Sequence, residues 1–281
     1  HIHCSAQTDA YEHNTTESNE TFLLRGSKAV RDTLASGVTT MRDLGSRNEV
    51  VFPIKDAISK KVRCATILSG GFSEAGSEGN DLEEHVFKIA KKGDLRILGP
   101  NSIGLINISD NVILSANAML ELQDLKKGSL SVISHSGSLI GALLAHGHSR
   151  GIGFSKLVSV GNESDLSVGE IGKMLVNDPN TETIILFLET LRNSDEVADM
   201  SRMAHAAGKQ IICYKLGKSE LGKELAKSHT GAIAGNDYAF NAFINYHGIA
   251  RVEIFETLIS VPFVDTPVIR LNLGTVSPGT L

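Results

Sequence analysis

With 281 residues, 41% of them hydrophobic and 21% charged, the chain is long enough for one large domain or two modest ones with a real core. A net charge of −5 argues against a polyanion-binding surface, so no nucleic-acid partner is expected. No apolar run approaches the roughly 18 residues that span a bilayer, the best being Ile184–Leu188, and no membrane association is expected.

Three scattered cysteines (Cys4, Cys64, Cys213) do not suggest a disulfide framework. They fit a reducing compartment, and with no secretory leader pattern the expected location is the cytoplasm. Glycine is plentiful at 27 residues and aromatics are sparse at 5%, which suits an α/β protein better than an aromatic-rich sandwich.

Residues 5–20, crowded with Thr, Ser, Asn and Glu, read as a loop. From Phe22 to Ala35 the apolar positions Leu23, Leu24, Ala29, Val30 and Leu34 recur at helical spacing; Gly37 ends that helix, and 38–41 reads as a short strand. A different rhythm begins near Cys64. Ala65–Leu68 reads as a buried strand, Leu82–Lys91 as an amphipathic helix, and Leu95–Leu98 as a strand ending at Gly99-Pro100-Asn101. From Gly128 onward strands at Leu130–Ile133, Lys156–Val160, Thr183–Leu188 and Gln210–Tyr214 alternate with helices at 138–149, 167–177 and 194–207. Such alternation predicts an α/β fold, a parallel sheet with helices on both faces, whose functional groups collect after the carboxyl ends of strands.

Two loop-to-helix junctions carry the chemistry. Ser134-His135-Ser136-Gly137-Ser138 follows a strand and opens a helix. Its small residues either expose backbone N–H groups to a phosphate or serve as an ordinary helix cap. Ser228-His229-Thr230-Gly231-Ala232 is a second such junction. A neutral His229 there could attack a phosphoryl group, with the helix end stabilising the anion; the alternative is a surface histidine. Glu189, at the carboxyl end of the strand 183–188, could accept the other ring N–H of such a histidine, or cap a helix. Gly217–Lys223 has phosphate-loop spacing, but Glu224 stands where a magnesium-binding Ser or Thr is required, so it is not read as an ATP site. At the amino end, His1 and His3 share one face at strand period and could supply two ligands to a zinc ion.

Six stretches, taken in order, resemble the NDP-forming acyl-CoA synthetases, relatives of the succinyl-CoA synthetase α subunit. They are Ile67–Gly76, Gly99–Gly104, Ser134–Gly137, Gly151–Asn162, Leu188-Glu189 and Ser228–Gly235. The resemblance implies a flavodoxin-like domain at 127–261, preceded at 62–126 by the second half of a Rossmann-like CoA-binding domain. It implies that His229 is the phosphohistidine and Glu189 its orienting carboxylate. Phosphate would be held by Ser134, Ser136, Gly137 and Ser138 together with Thr230 and Gly231, and Glu74 and Asn101 would lie near the thioester. The reaction it implies joins acyl-CoA, phosphate and ADP to give acid, CoA and ATP, through an acyl phosphate and then phospho-His. Substrates would be coenzyme A and a small carboxylic acid. Magnesium with ADP or ATP would come through an ATP-grasp β-type partner subunit or domain, in an oligomer.

Residues 1–61 resemble instead the metal-dependent amidohydrolases, through His1-Ile-His3 and Ala35–Gly45, with His1 and His3 as implied ligands. The tail 262–281 resembles no family. This juxtaposition gives the expectation of a composite or truncated reading frame with junctions near 60–65 and 260–263. A partial domain over 64–126 is further expected to leave a sheet edge unpaired.

Overall fold

Thr183–Leu188 reads T-I-I-L-F-L, and all six residues are buried. A run apolar on both faces can only sit in the middle of a covered parallel sheet. The computed structural model, which describes residues 40–43, 59, 61–117, 125–216 and 237–260, places it there. The first unit runs β1 (Thr40–Asp43), β2 (Cys64–Ile67), α1 (Ser77–Lys92) and β3 (Arg96–Leu98). The second contains β4 (Gly104–Asn107), β5 (Val112–Ser115), β6 (Lys127–Ser134), α2 (Gly137–Ser149), β7 (Phe154–Ser159), α3 (Val168–Val176) and β8 (Thr183–Leu188). It ends with α4 (Ser194–Ala206), β9 (Gln210–Lys215), α5 (Asp237–Tyr246) and β10 (Ala250–Arg251).

Strands β1, β2 and β3 form a parallel three-stranded sheet. The others form a seven-stranded sheet in the order β10-β9-β8-β6-β7-β4-β5, parallel from β10 to β7. The expected alternation is found; most element ends shift by a residue or two, but α1 begins five residues and β6 three residues earlier than expected. The hairpin β4–β5 departs from expectation. It is antiparallel, pairs with β7, and so belongs to the second sheet, although its residues fall in the stretch assigned to the CoA-binding half. Its short runs, four residues each, carry too little periodicity to reveal their partner. The strand β1 likewise joins the first sheet from within the stretch read as a separate amidohydrolase-like segment.

Alternate residues of the central strands serve two cores. Ile184, Leu186 and Leu188 face Ile171 and Leu175 of α3 and Val197 and Met200 of α4. Ile185, with Val132 and Leu157, faces Ile140, Leu143 and Leu144 of α2. Helices α3 and α4 come close because Gly172 has no side chain: a Cβ there would stand 1.9 Å from the Met200 sulfur.

Leu98 of β3 packs into the α3–α4 core, so the two sheets share one interior. The outer edge of β3 is met by the loop after β7. Ile97 N–H donates to Asp165 Oδ2 (2.6 Å), and Leu166 N–H donates to the Ile97 carbonyl (3.2 Å). Arg96 forks onto Glu170 at 2.7 Å and reaches Asp165 at 3.1 Å. That ion pair is half exposed and adds register more than free energy.

The same loop requires Gly161, whose φ is +55°, and a Cβ there would lie 2.0 Å from the Pro100 carbonyl oxygen. Gly161→Ala is therefore expected to cost about 2–4 kcal/mol by combining a left-handed backbone with a backbone overlap. Urea unfolding measures it, and a loss below about 1 kcal/mol would show that the joint adapts.

Candidate functional site

In chain order the five parallel strands of the second sheet are β6, β7, β8, β9 and β10, while in space β6 lies between β7 and β8. Connections leave β6 in one direction and return past it in the other. A crevice must open at the carboxyl ends of β6 and β8, where open α/β sheets bind ligands. One of the two junctions singled out in the sequence, Ser134–Ser138, lies there, and so does Glu189.

On the β6 side, Ser134 is fully buried, and its hydroxyl donates to the Ser136 carbonyl (2.7 Å) while accepting from the Ser136 N–H (3.1 Å). Ser134 thus folds the turn with its own side chain. Ser136 is the N-cap of α2 with extended backbone, but its hydroxyl makes no capping bond and lies 3.1 Å from that of Ser138. No acidic residue occupies the first turn of α2. The positive end of the helix dipole is therefore not neutralised by its own sequence. Gly137 is tied to packing as well, since a Cβ there would sit 2.7 Å from Ile103 Cβ.

On the β8 side, Glu189 is buried one residue beyond the strand. Its main-chain N–H donates to His135 Nδ1 (3.1 Å), and the His135 N–H donates to the Phe187 carbonyl (3.1 Å). An imidazole nitrogen that accepts an N–H carries a lone pair, so the ring proton is on Nε2. There it meets Glu163 Oε2 at 3.1 Å, and the other oxygen of Glu163 accepts from the Val168 N–H (2.7 Å) at the start of α3.

A second cluster forms where the loops after β2, β3 and β7 converge. Glu74 Oε1 accepts from the N–H groups of Gly71 (2.6 Å) and Phe72 (3.2 Å), and its Oε2 accepts from the Asn162 amide. Asn162 also reaches Ser73 Oγ (3.2 Å) and Glu83 Oε2 (3.4 Å), and its carbonyl oxygen accepts from Asn101 Nδ2 (3.4 Å). Asn101 itself sits at φ +54° and donates its N–H to the Ser69 carbonyl (3.0 Å). Burial alone would raise the Glu74 pKa, but the Asn162 amide and the surrounding N–H groups outweigh it and hold the carboxyl below its usual value.

Among the sequence candidates, Ser134, Ser136, Gly137, Ser138 and Glu189 thus lie at the switch point, and Glu74 and Asn101 share the neighbouring cluster. His229, Thr230 and Gly231, with His1 and His3, lie outside the described residues, as does the phosphate-loop decoy at 217–223. The chain leaves the described part at Leu216, whose N–H donates to the Leu188 carbonyl (2.8 Å) beside Glu189. It re-enters at Asp237, which pairs with Arg251 at 2.9 Å and lies 3.9 Å from the buried Lys215. Both ends of the stretch that contains His229 are thereby tied to the carboxyl end of β9. Sequence reasoning did not single out Asn162 or Glu163, and it saw His135 only as a neighbour of the serines. The available signals were that Asn162 closes the stretch Gly151–Asn162 that carries the resemblance, and that Gly161-Asn162-Glu163 is a short polar run immediately after a strand.

Comparison with known proteins bears on the second unit. Residues 127–263 match the model of the family described as the succinyl-CoA ligase like flavodoxin domain. The chain is also 35% identical over 215 residues to an ADP-forming acetate–CoA ligase of Methanocaldococcus jannaschii, covering 76% of this chain and 29% of that protein. It is 33% identical to the α subunit of an ADP-forming acetate–CoA ligase I of Pyrococcus furiosus, over 70% of this chain and 42% of the relative. Among solved structures, a dinucleotide-forming acetyl-coenzyme A synthetase 1 of Ca. Korarchaeum cryptofilum, in complex with phosphate and ADP, superimposes with a TM-score of 0.71 at 30% identity. That match covers 78% of this chain and 46% of the other. The chain spans less than half the length of each of these relatives. They support the resemblance to NDP-forming acyl-CoA synthetases, and none of them is an amidohydrolase.

The Glu74 arrangement has a pH signature. A carboxyl whose pKa is lowered by folding stabilises the folded state above its unfolded value, about 4.3, and loses that contribution as pH falls through the folded value. The stability difference between the wild-type protein and Glu74→Gln, measured by denaturant titration, is expected to be flat above about pH 6 and to shrink below about pH 4. A difference that grows on acidification would contradict the arrangement.

Proposed function

We propose that the chain acts as the α-like module of an NDP-forming acyl-CoA synthetase, an acid-thiol ligase that interconverts acyl-CoA, phosphate and ADP with acid, CoA and ATP. In this reading phosphate attacks the thioester carbonyl, the carbon–sulfur bond breaks, and CoA leaves as its thiol. His229 then attacks the phosphorus of the acyl phosphate, releasing the carboxylate, and passes the phosphoryl group to ADP. The N-terminus of α2 holds phosphate oxygens through its first-turn N–H groups, with Ser136 and Ser138 beside it. Glu189 accepts the second ring N–H of His229, fixing its tautomer and strengthening its nucleophilic nitrogen. Glu74 and Asn101 belong to the surroundings of the thioester.

One observation carries the reading most: a buried carboxylate at the switch point, beside a helix whose own first turn holds no acidic residue and next to the strand to which the ends of the His229 stretch are tied. His135 is poorly suited to carry phosphate, because both of its ring nitrogens are engaged. Among the described residues no three His, Cys, Asp or Glu side chains converge on a metal position. The magnesium that accompanies ADP and ATP is assigned to an ATP-grasp partner, as the resemblance to the acyl-CoA synthetases implies. No described helix is long and apolar enough to cross a membrane, and the cytoplasm is the proposed setting.

Incubation with radiolabelled acetyl phosphate tests the central step. The label is expected to be acid-labile and base-stable, to be lost in His229→Ala, and to form about 10–100-fold more slowly in Glu189→Gln. Label that survives His229→Ala would sink the proposal.

A further inference from the structure

The hydrogen bond from the Glu189 main chain to His135 is unusual in kind. In regular parallel pairing the N–H of Glu189 would donate to the carbonyl of His135, continuing the ladder in which the His135 N–H already donates to Phe187. The imidazole Nδ1 takes the place of that carbonyl. The ladder between β6 and β8 is thus extended by one rung made from a side chain, at the buried Glu189.

A rung of this kind works only if the ring is held in one tautomer and one orientation. Glu163 holds it. One of its oxygens accepts the Nε2 proton, and the other is fixed by the first N–H of α3. Both side chains are nearly solvent-free, with exposures of 3% for His135 and 1% for Glu163. Glu163 adopts φ +56°, a left-handed backbone that costs a non-glycine residue about 1–2 kcal/mol, and its N–H is tied to the Val160 carbonyl at 3.0 Å. A strained backbone supporting a buried charge-assisted bond, next to a site that needs sub-ångström placement, points to positioning rather than to packing alone.

We infer that His135, held by Glu163, is a positioning residue for phosphoryl transfer: it sets the main chain of Glu189, the residue to which the function proposed above gives the orienting carboxylate. The inference rests on the function proposed above. It adds no bond-making step. His135 does not touch the phosphoryl group, and its effect is confined to the rate at which an already bound acyl phosphate transfers.

The test follows label transfer from acetyl phosphate to the full chain. His135→Leu, which fills the space without an acceptor, is expected to lower kcat about 10–100-fold with KM changed less than about twofold. His135→Asn places an amide oxygen near the position of Nδ1 and is expected to recover most of the rate. Glu163→Gln keeps the core filled but must mismatch either the ring N–H or the Val168 N–H, and it should show the same kcat loss even if His135→Leu does not fold. Cooperative melting of each variant establishes that rates are compared between folded proteins. Wild-type rates in folded His135→Leu or in Glu163→Gln would overturn the inference, as would a His135→Asn rate no better than that of His135→Leu. Label that fails to enter the wild-type protein, or that persists in His229→Ala, removes instead the reading on which the inference rests.

Discussion

The loop from Val160 to Asp165 meets three demands within six residues, and the rest of the molecule is arranged around it. Asp165 satisfies the outer N–H of β3, at the edge of the first sheet. Asn162 enters the carboxylate cluster of Glu74 and Glu83. Glu163 turns the other way and fixes His135 at the mouth of the second sheet. Side chains pointing in such different directions within so short a segment require backbone outside the ordinary regions, and the loop uses it twice in succession, at Gly161 and Glu163. Glycine removes the cost at one position. At the other the strain is retained, offset by buried hydrogen bonds that would be left unsatisfied if the turn relaxed.

That joint makes one body of two sheets. The three-stranded sheet buries Val62, Ile67, Phe72, Val86 and Ile97 in a small core of its own. Its stability depends on borrowing an interior from the larger sheet through Leu98, and an edge from the loop after β7. Three strands and one described helix bury little apolar surface, so a unit of this size gains from a shared core. The two candidate regions, one at the switch point and one around Glu74, consequently meet at two adjacent residues of a single loop, Glu163 and Asn162. A change that loosens Gly161 would be felt at both.

The electrostatics of the switch point follow from the same economy of short segments. Ser134 spends its hydroxyl on the turn, Gly137 gives its missing side chain to Ile103, and the first turn of α2 contains no acidic residue of its own. Glu189 is brought in from the next strand rather than from the helix itself. Separation of an anion-friendly helix end from the carboxylate by one strand spacing lets both coexist at close range.

The sequence by itself determined the alternation of short apolar strands with amphipathic helices, because burial on both faces of a parallel sheet writes itself as continuous runs such as 183–188. It also marked Ser134–Ser138 and Glu189 as candidates, because small hydroxyl residues and acids directly after strands can meet an anion or a ring N–H, although capping a helix is their other common use. It did not reveal that β4 and β5 would join the second sheet. Four-residue strands have no register of their own, and an antiparallel partner is chosen by what lies across from it. Nor did it reveal Glu163 and Asn162, whose importance comes from contacts with residues 28 and 88 positions away in the chain. Only the tertiary structure could decide those, since a hydrogen bond between distant segments leaves no periodicity in either one.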